Sequence, residues 1–415
     1  MSRKIICLPE DCTACKACLN VCKLNCIEMV KDKQDVSRYK ISVDKCIDCG
    51  LCRKVCPVLH NSKNQPHKAY VAWSNNEERH AKSASGGIAA ELYSFLLKKN
   101  FSLVGTKWSD DFTVRLCIGD TTEDIIKFQN SKYTYSDPVY IYRDVVEEIN
   151  QGANVLFVGL PCQTAAMANI LQYRNMRDKC ILVDLVCHGI PPSEYLQQHV
   201  KYIENIKGKK VKTIIFRDPE RGTENYWFSL FGIDCGCFYT RHVKRNDVYH
   251  LGYHRALIYR DNCYHCKFTT HQRCGDLTLA DYSGLGTGGE VDFKHGSQLS
   301  CILCNTSRGE NLISEIIADG VIKAYERPLT EELGNERQLN APSIPHVNRD
   351  VFLATYKKTK NFEIAAYKAL RKDIYKNELM HYLLVDKIIG LPRKIAKIIL
   401  PERMKKYIKR WLHKK

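Results

Sequence analysis

Two cysteine runs near the N-terminus constrain this chain more than any other feature of its sequence. The first reads Cys12-Thr-Ala-Cys15-Lys-Ala-Cys18-Leu-Asn-Val-Cys22, the second Cys46-Ile-Asp-Cys49-Gly-Leu-Cys52-Arg-Lys-Val-Cys56-Pro57. Both have the spacing C-x-x-C-x-x-C-x-x-x-C. Three thiolates two residues apart wrap a loop around one face of an iron–sulfur cubane, and short side chains let backbone N–H groups point at the sulfurs. The fourth cysteine opens the next helical stretch and reaches the other cluster of a pair. One 4Fe–4S cluster is therefore expected on Cys12, Cys15, Cys18 and Cys56, and a second on Cys46, Cys49, Cys52 and Cys22. Zinc is the alternative for any four-cysteine set, but two zinc sites have no need of this repeat.

The spacing resembles that of bacterial two-cluster ferredoxins, and an α+β ferredoxin-like domain is expected over residues 1–62. Ile27–Val30 and Tyr39–Val43 read as two short strands around a polar turn. The first run carries Lys23 after its last cysteine, where Pro is usual. Cys7 and Cys26 fall outside the ligand sets and read as small packing residues.

The full chain has 415 residues, 21 of them cysteine. That length predicts two or three domains. With 44% hydrophobic and 26% charged residues it is an ordinary globular composition. The opening MSRKIICLPEDC lacks the apolar core of an export signal, so a secreted disulfide scaffold is not expected. A cytoplasmic location with metal-ligating cysteines is. No apolar run approaches the roughly 20 residues of a membrane span.

Residues 60–67 are polar and contain Pro66, which predicts a linker. Beyond it, over 69–350, helical and extended patterns alternate. Gly86 to Lys99 has Ile88, Leu92, Phe95 and Leu96 on one helical face. Leu103–Trp108 and Val114–Ile118 read as strands, and Asp137–Asn150 as a helix. Strands at Asn154–Val158 and Ile181–Val186 each lead through a loop into a helix. This alternation predicts an α/β domain with a mainly parallel sheet. Cys162 and Cys187 sit just past the ends of the last two strands, where open α/β sheets bind ligands. With Cys263-Tyr-His-Cys266 they form a candidate third 4Fe–4S set. A strand-end cysteine is also a common buried residue, and Cys263 with Cys266 can be half a zinc site, so spacing leaves this open. Cys117, Cys180, Cys235, Cys237, Cys301 and Cys304 read mainly as packing.

Ser85-Gly86-Gly87, Ser131-Lys132-Tyr133, Gly159-Leu-Pro-Cys162-Gln163, Asp184-Leu-Val-Cys187-His188-Gly189, Phe216-Arg217-Asp218, Cys263-Tyr-His-Cys266 and Asp276–Gly284 occur in this order. The order resembles the family of beta subunits of coenzyme F-420-reducing hydrogenases and dehydrogenases, over most of residues 69–310. The resemblance implies FAD in the α/β domain, a cluster on Cys162, Cys187, Cys263 and Cys266, and coenzyme F-420 as one candidate substrate; Cys274 looks like a local extra. Where relatives tend to read Gly-Asp-Phe-Trp-Gly, this chain has Ala280-Asp281-Tyr282-Ser283-Gly284, beside the expected substrate crevice.

From these parts a path is expected from an external donor, protein or small molecule, through three clusters to a flavin and a small-molecule substrate. Ser85, Gly86 and Gly87 are candidate flavin-phosphate donors at a helix start, and Lys132 and Ser136 candidate cofactor contacts. His188 is a candidate for moving a proton. An ordinary helix start, a solvated lysine and a structural histidine are the plain alternatives. A non-catalytic electron-transfer subunit and an iron–sulfur redox sensor are the competing functions. Finally, residues 351–415 read as a helical basic segment. Its last part, Gly390 to Lys415, holds ten Lys/Arg and one acid, about half of the net +17. Interleaved Ile, Leu and Trp411 suit peripheral contact with an anionic membrane at its inner face, or a helix packed on the body. No specific nucleic-acid motif accompanies the charge.

Overall fold

The computed structural model describes residues 5–61 and 63–382. In the N-terminal part, helix α1 (Ala17–Val21), strands β1 (Ile27–Lys31) and β2 (Ser37–Ile41), and helix α2 (Leu51–Lys54) follow one another. The two strands pair antiparallel, from Ile27 opposite Ile41 to Lys31 opposite Ser37. The two cysteine runs share a backbone signature. Ala14 and Lys16 in the first, and Asp48 and Gly50 in the second, all take positive φ, between 51° and 75°. Such alternation turns successive N–H groups into a concavity that suits an anion or an iron–sulfur cluster.

The larger part begins with β3 (Lys68–Ser74), α3 (Glu77–Lys82), α4 (Ile88–Leu97), β4 (Phe101–Trp108), β5 (Val114–Gly119), α5 (Thr122–Phe128) and β6 (Ser136–Asp137). It continues through α6 (Ile141–Asn150), β7 (Asn154–Gly159), α7 (Pro161–Arg174), β8 (Cys180–Leu185) and α8 (Ser193–Lys207). Three strands, β9 (Val211–Ile215), β10 (Trp227–Gly232) and β11 (Cys237–His242), form a separate antiparallel sheet, followed by α9 (Val248–His254). Then come β12 (Leu277–Asp281), β13 (Ser300–Cys304), α10 (Ser307–Ala318), β14 (Ile322–Arg327), α11 (Leu329–Asn335), α12 (Arg349–Thr359) and α13 (Phe362–Tyr382).

Nine strands make the main sheet, in the order β14-β3-β13-β12-β8-β7-β4-β5-β6. Its central run β12-β8-β7-β4 is parallel, as expected. Across the whole sheet, however, four neighbouring pairs are parallel and four antiparallel, so the sheet is mixed rather than mainly parallel. Strand–helix alternation covers only part of the domain; β3, from its start, inserts antiparallel between β13 and β14, which α10 connects. The expected helix from Asp137 starts four residues later, at Ile141. Ser136 and Asp137 are instead taken into the sheet beside β5, and Pro138 follows.

The central strands are buried on both faces. Leu156, Val158 and Val183 pack under α4 and α10, while Val155, Phe157, Cys180 and Leu182 pack under α6 and α7. Alternate residues thus serve opposite layers. The α6/α7 layer also includes Cys15, Ala17, Val21 and Val55, so the N-terminal part shares a core with the larger one. Polar ties reinforce the joint: Asn169 Nδ2 donates to the carbonyls of Val55 and His60, and Arg143 to those of Leu19 and Asn20. The stretch expected as a linker is pinned as well, because Asn64 and Arg273 exchange backbone hydrogen bonds of 2.7 and 2.8 Å.

Phe352, Tyr356, Phe362, Leu370 and other residues of α12 and α13 share one apolar core with α8, α9, β9 and β10. The basic stretch 390–415 lies outside the described residues. Among those described, no helix is long and apolar enough to cross a membrane. Cys180, Cys301 and Cys304 are buried, as packing residues should be, and Cys117 is half-buried. Cys235 and Cys237 are exposed at the β10–β11 turn, a correction to their reading as packing; a hairpin tip has no core to enter.

Candidate redox centres

Cys12, Cys15, Cys18 and Cys56 line one cavity, so the cross-run grouping read from the spacing is present in space. Cys7 lines it too, with its thiol hydrogen-bonded to both Cys12 and Cys56. That bond is the main reason the Cys12 and Cys56 thiols are lowered, to about 6 and about 7, while Cys7 itself is raised. Thiolate is the ligating form of cysteine. The second set is shallower: Cys49 is exposed, and Cys22, Cys46 and Cys52 are half-buried. Here Cys26 occupies the bridging place, its Sγ 3.3 Å from that of Cys22 and its thiol also bonded to Cys46. Cys7 and Cys26 are therefore more than packing residues. Each joins the first ligand of one run to the last of the other, which spacing alone does not show.

Cys162, Cys187, Cys263 and Cys266 line a second cavity together. Cys162 lies in the first turn of α7, after β7, and Cys187 follows β8. The two strands are parallel neighbours, with Gly159 opposite Asp184, so their loops open side by side. Cys263 and Cys266 close the cavity from a short 3-10 turn at Asp261–His265. Burial raises the Cys187 thiol to about 12 and the Cys266 thiol to about 11, and also lifts Cys162 and Cys263. Four thiolates fit such a space only around a cationic inorganic core. The four cysteines ring a cavity. Cys274 lies beneath, its Sγ 3.2 Å from the Pro161 carbonyl, and does not line the cavity.

A buried ion pair fixes this arrangement. Arg273 Nε donates to Asp184 Oδ1 at 3.0 Å, and its Nη1 to the Phe268 and Thr270 carbonyls. Asp184 accepts in addition from the Gly275 amide and the Thr278 hydroxyl. The strand end before Cys187 is thereby tied to the loop after Cys266.

The candidate flavin residues are spread out. Ser85 Oγ donates to the Leu299 carbonyl, and the Gly86 amide donates to Ser300 Oγ, so this turn is bound to β13 and the Gly86 N–H is already in use. Gly87, at φ 82°, is the residue from which α4 starts. Lys132 Nζ caps α5 by donating to the Phe128 and Gln129 carbonyls, and burial lowers it to about 8. Ser136 is tied to Gln163, next to Cys162, and so belongs to the cysteine cavity's surroundings. His188 is exposed and does not line the cavity.

Three motifs distant in sequence do meet. Arg217 Nη1 donates to Asp281 Oδ2 at 2.7 Å, and the Tyr226 hydroxyl donates to the same oxygen at 3.2 Å. The Tyr133 side chain is hydrogen-bonded to that of Arg217, and its ring stacks on Tyr253 at 4.4 Å. His254 stands edge-on to Tyr133 and Tyr226. Burial, with His250 and His188 nearby, keeps His254 well below its usual range and hence neutral. Asp281 remains 41% exposed, so this cluster reaches the solvent. Tyr226 and His254 had no motif to announce them.

Parts of the chain match known proteins. Residues 11–59 and 42–99 match two models of a "4Fe-4S dicluster domain". Residues 152–328 match the model for the C terminus of the "Coenzyme F420 hydrogenase/dehydrogenase, beta subunit". A curated relative, the F subunit of the F(420)H(2) dehydrogenase of Methanosarcina mazei, is 26% identical over 43% of this chain and 53% of its own length. Ferredoxin 7Fe of Hydrogenibacillus schlegelii is 42% identical over 12% of this chain and 62% of its own length. The chain thus spans less than two thirds of either relative. A chain in a solved structure of the F420-reducing [NiFe] hydrogenase complex from Methanosarcina barkeri superposes with a TM-score of 0.42 at 18% identity. That superposition covers 76% of this chain and 91% of the other.

The cysteine runs and the dicluster match define a 4Fe–4S protein of the oxidoreductase kind. More particularly, residues 152–328 match the C-terminal domain of coenzyme F-420 hydrogenase/dehydrogenase beta subunits, and a 4Fe–4S dicluster domain stands ahead of it.

Proposed function

We propose that this protein is an iron–sulfur flavoprotein that passes electrons between its dicluster domain and a small-molecule substrate. Cys12, Cys15, Cys18 and Cys56 would hold one 4Fe–4S cluster, Cys22, Cys46, Cys49 and Cys52 the exposed second, and Cys162, Cys187, Cys263 and Cys266 a third. One observation carries this reading. Thr13, the residue after Cys12, lines both the first cavity and the cavity of the third set, so the two sites share a wall. The second set is the entry point, since Cys49 is exposed there.

FAD would lie toward the cluster of Tyr133, Arg217, Tyr226 and Asp281, where three motifs of the α/β domain meet. Bound flavin joins one-electron carriers to a two-electron substrate. The chain's own residues supply orientation and proton handling: Arg217 fixes Asp281, and the Tyr226 hydroxyl stands against that carboxylate where the cluster reaches the solvent. Coenzyme F-420 is one candidate substrate.

Protein purified without oxygen should contain about 12 iron and 12 acid-labile sulfide per chain, against about 8 for the dicluster domain alone. Cys187→Ser should lower the count by about one cluster and slow flavin reduction through the dicluster domain, with flavin still bound. A wild-type count near eight would end the third-cluster reading. A second reading, in which the chain transfers electrons within a larger assembly and has no substrate of its own, is favoured by the curated relative, which is itself named as one part of a dehydrogenase. A stable complex with a partner that alone turns over substrate would establish it.

A further inference from the structure

Five arginines are buried among the described residues: Arg217, Arg260, Arg273, Arg327 and Arg349. Four of them have a carboxylate partner, Asp281, Asp184, Glu331 and Asp261 respectively. Arg260, at 2% exposure, forms no ion pair with any described carboxylate. An unpaired charge in the interior is costly, and folded proteins supply it with a counter-charge.

Its position shows which counter-charge that is. Arg260 Nη2 donates to the carbonyl of Cys12, at 3.2 Å, on the wall of the first cavity. Its backbone N–H donates to Ile190 and its carbonyl accepts from Cys263, both residues lining the cavity of the third set. The guanidinium carbon sits 5.2 Å from the Tyr135 ring, whose hydroxyl donates to the Ala14 carbonyl in the first cysteine loop. Nε is buried without any hydrogen-bond partner.

We propose that Arg260 is a positioning residue whose single buried charge serves as counter-ion to both the first cluster and the third, and so holds the step between them. This rests on the three-cluster reading given above. A 4Fe–4S cluster with four thiolates is anionic and gains one negative charge on reduction, so a fixed cation beside it favours the reduced form. Arg260 would raise the potentials of both neighbours and leave the exposed second cluster untouched.

The test is an EPR-monitored redox titration of the anaerobic protein, with Cys187→Ser as the background that removes the third signal. Arg260→Met should make the first and third clusters each about tenfold harder to reduce, a shift of about 59 mV for a one-electron couple. The second cluster, on Cys22, Cys46, Cys49 and Cys52, should stay at its wild-type potential and so report an intact fold. Arg260→Lys, which keeps the charge, should restore most of the shift. Unchanged first and third potentials in Arg260→Met, or an equal shift of all three, would overturn the role of Arg260 while leaving a count of about 12 iron intact. A wild-type count near eight would instead remove the third cluster, and the linking role with it.

Discussion

His199 offers a sharp test of how the C-terminal helices are held. It lies on α8, with side-chain exposure of 3%, between two carboxylates from other elements. Its Nε2 is 2.8 Å from Asp247 Oδ2, just before α9, and its Nδ1 is 2.6 Å from Glu363 Oε1 on α13. The Tyr239 hydroxyl also donates to Asp247, and the His250 amide donates to its other oxygen. Burial pushes the imidazole pKa down, but Asp247 and Glu363 outweigh it and bring it from 6.5 up to about 10. A raised folded-state pKa means that this stabilisation is complete below pH 6.5 and is lost as pH rises through about 10. At roughly 1.4 kcal/mol per unit the ceiling is about 5 kcal/mol, and breaking a buried ion pair from one side costs about 3–5 kcal/mol. The perturbation is His199→Gln, compared with wild type by urea unfolding between pH 6.5 and 10.5. The variant should be about 3–5 kcal/mol less stable at pH 6.5, and the gap should close toward pH 10. The comparison cancels other groups that titrate in this range. A gap that stays constant across the range would refute the reasoning, since the charge of His199 would then contribute nothing.

Asp184→Asn should leave the Arg273 guanidinium buried without its carboxylate, at a cost of about 3–5 kcal/mol, and should loosen the loops carrying Cys187 and Cys266. Urea unfolding together with the iron count reads both effects; a loss under about 1 kcal/mol would mean the pair is dispensable. Gly86→Ala would place a Cβ 2.3 Å from the Ala72 carbonyl oxygen and 2.8 Å from the Ser300 amide nitrogen. Both neighbours are backbone, so the strands β3 and β13 must part, at about 1–3 kcal/mol. Gly296→Ala, which meets nothing within 4 Å, is the control in the same unfolding assay.

The glycine illustrates what a short motif can and cannot say. Ser85-Gly86-Gly87 was legible as a helix start, and α4 does start there. That Gly86 is required by close contact with β13, its amide spent on Ser300, depends on a strand more than two hundred residues later. The sheet shows the same division. The apolar runs of β7 and β8 read correctly as parallel strands, because each is followed by its crossover helix. The pairing of β3 with β13 and β14 carries no local mark, and so the antiparallel half of the sheet could not be read.

Sequence by itself determined the dicluster domain, because its ligands come at short intervals that only the local geometry of a cubane explains. It also placed Cys162 and Cys187 just past strand ends, since strand ends follow from local hydrophobic pattern; that the two strands are neighbours is a matter of tertiary structure. Tertiary structure alone decided the rest. The bridging thiols of Cys7 and Cys26, the wall shared at Thr13, the meeting of Arg217 with Asp281, and the unpaired Arg260 all join segments far apart in the chain. Periodicity and spacing describe what a residue does to its near neighbours. Burial and counter-charge depend on what folding brings alongside, and an arginine in the sequence looks the same whether water or an anionic cluster waits beside it.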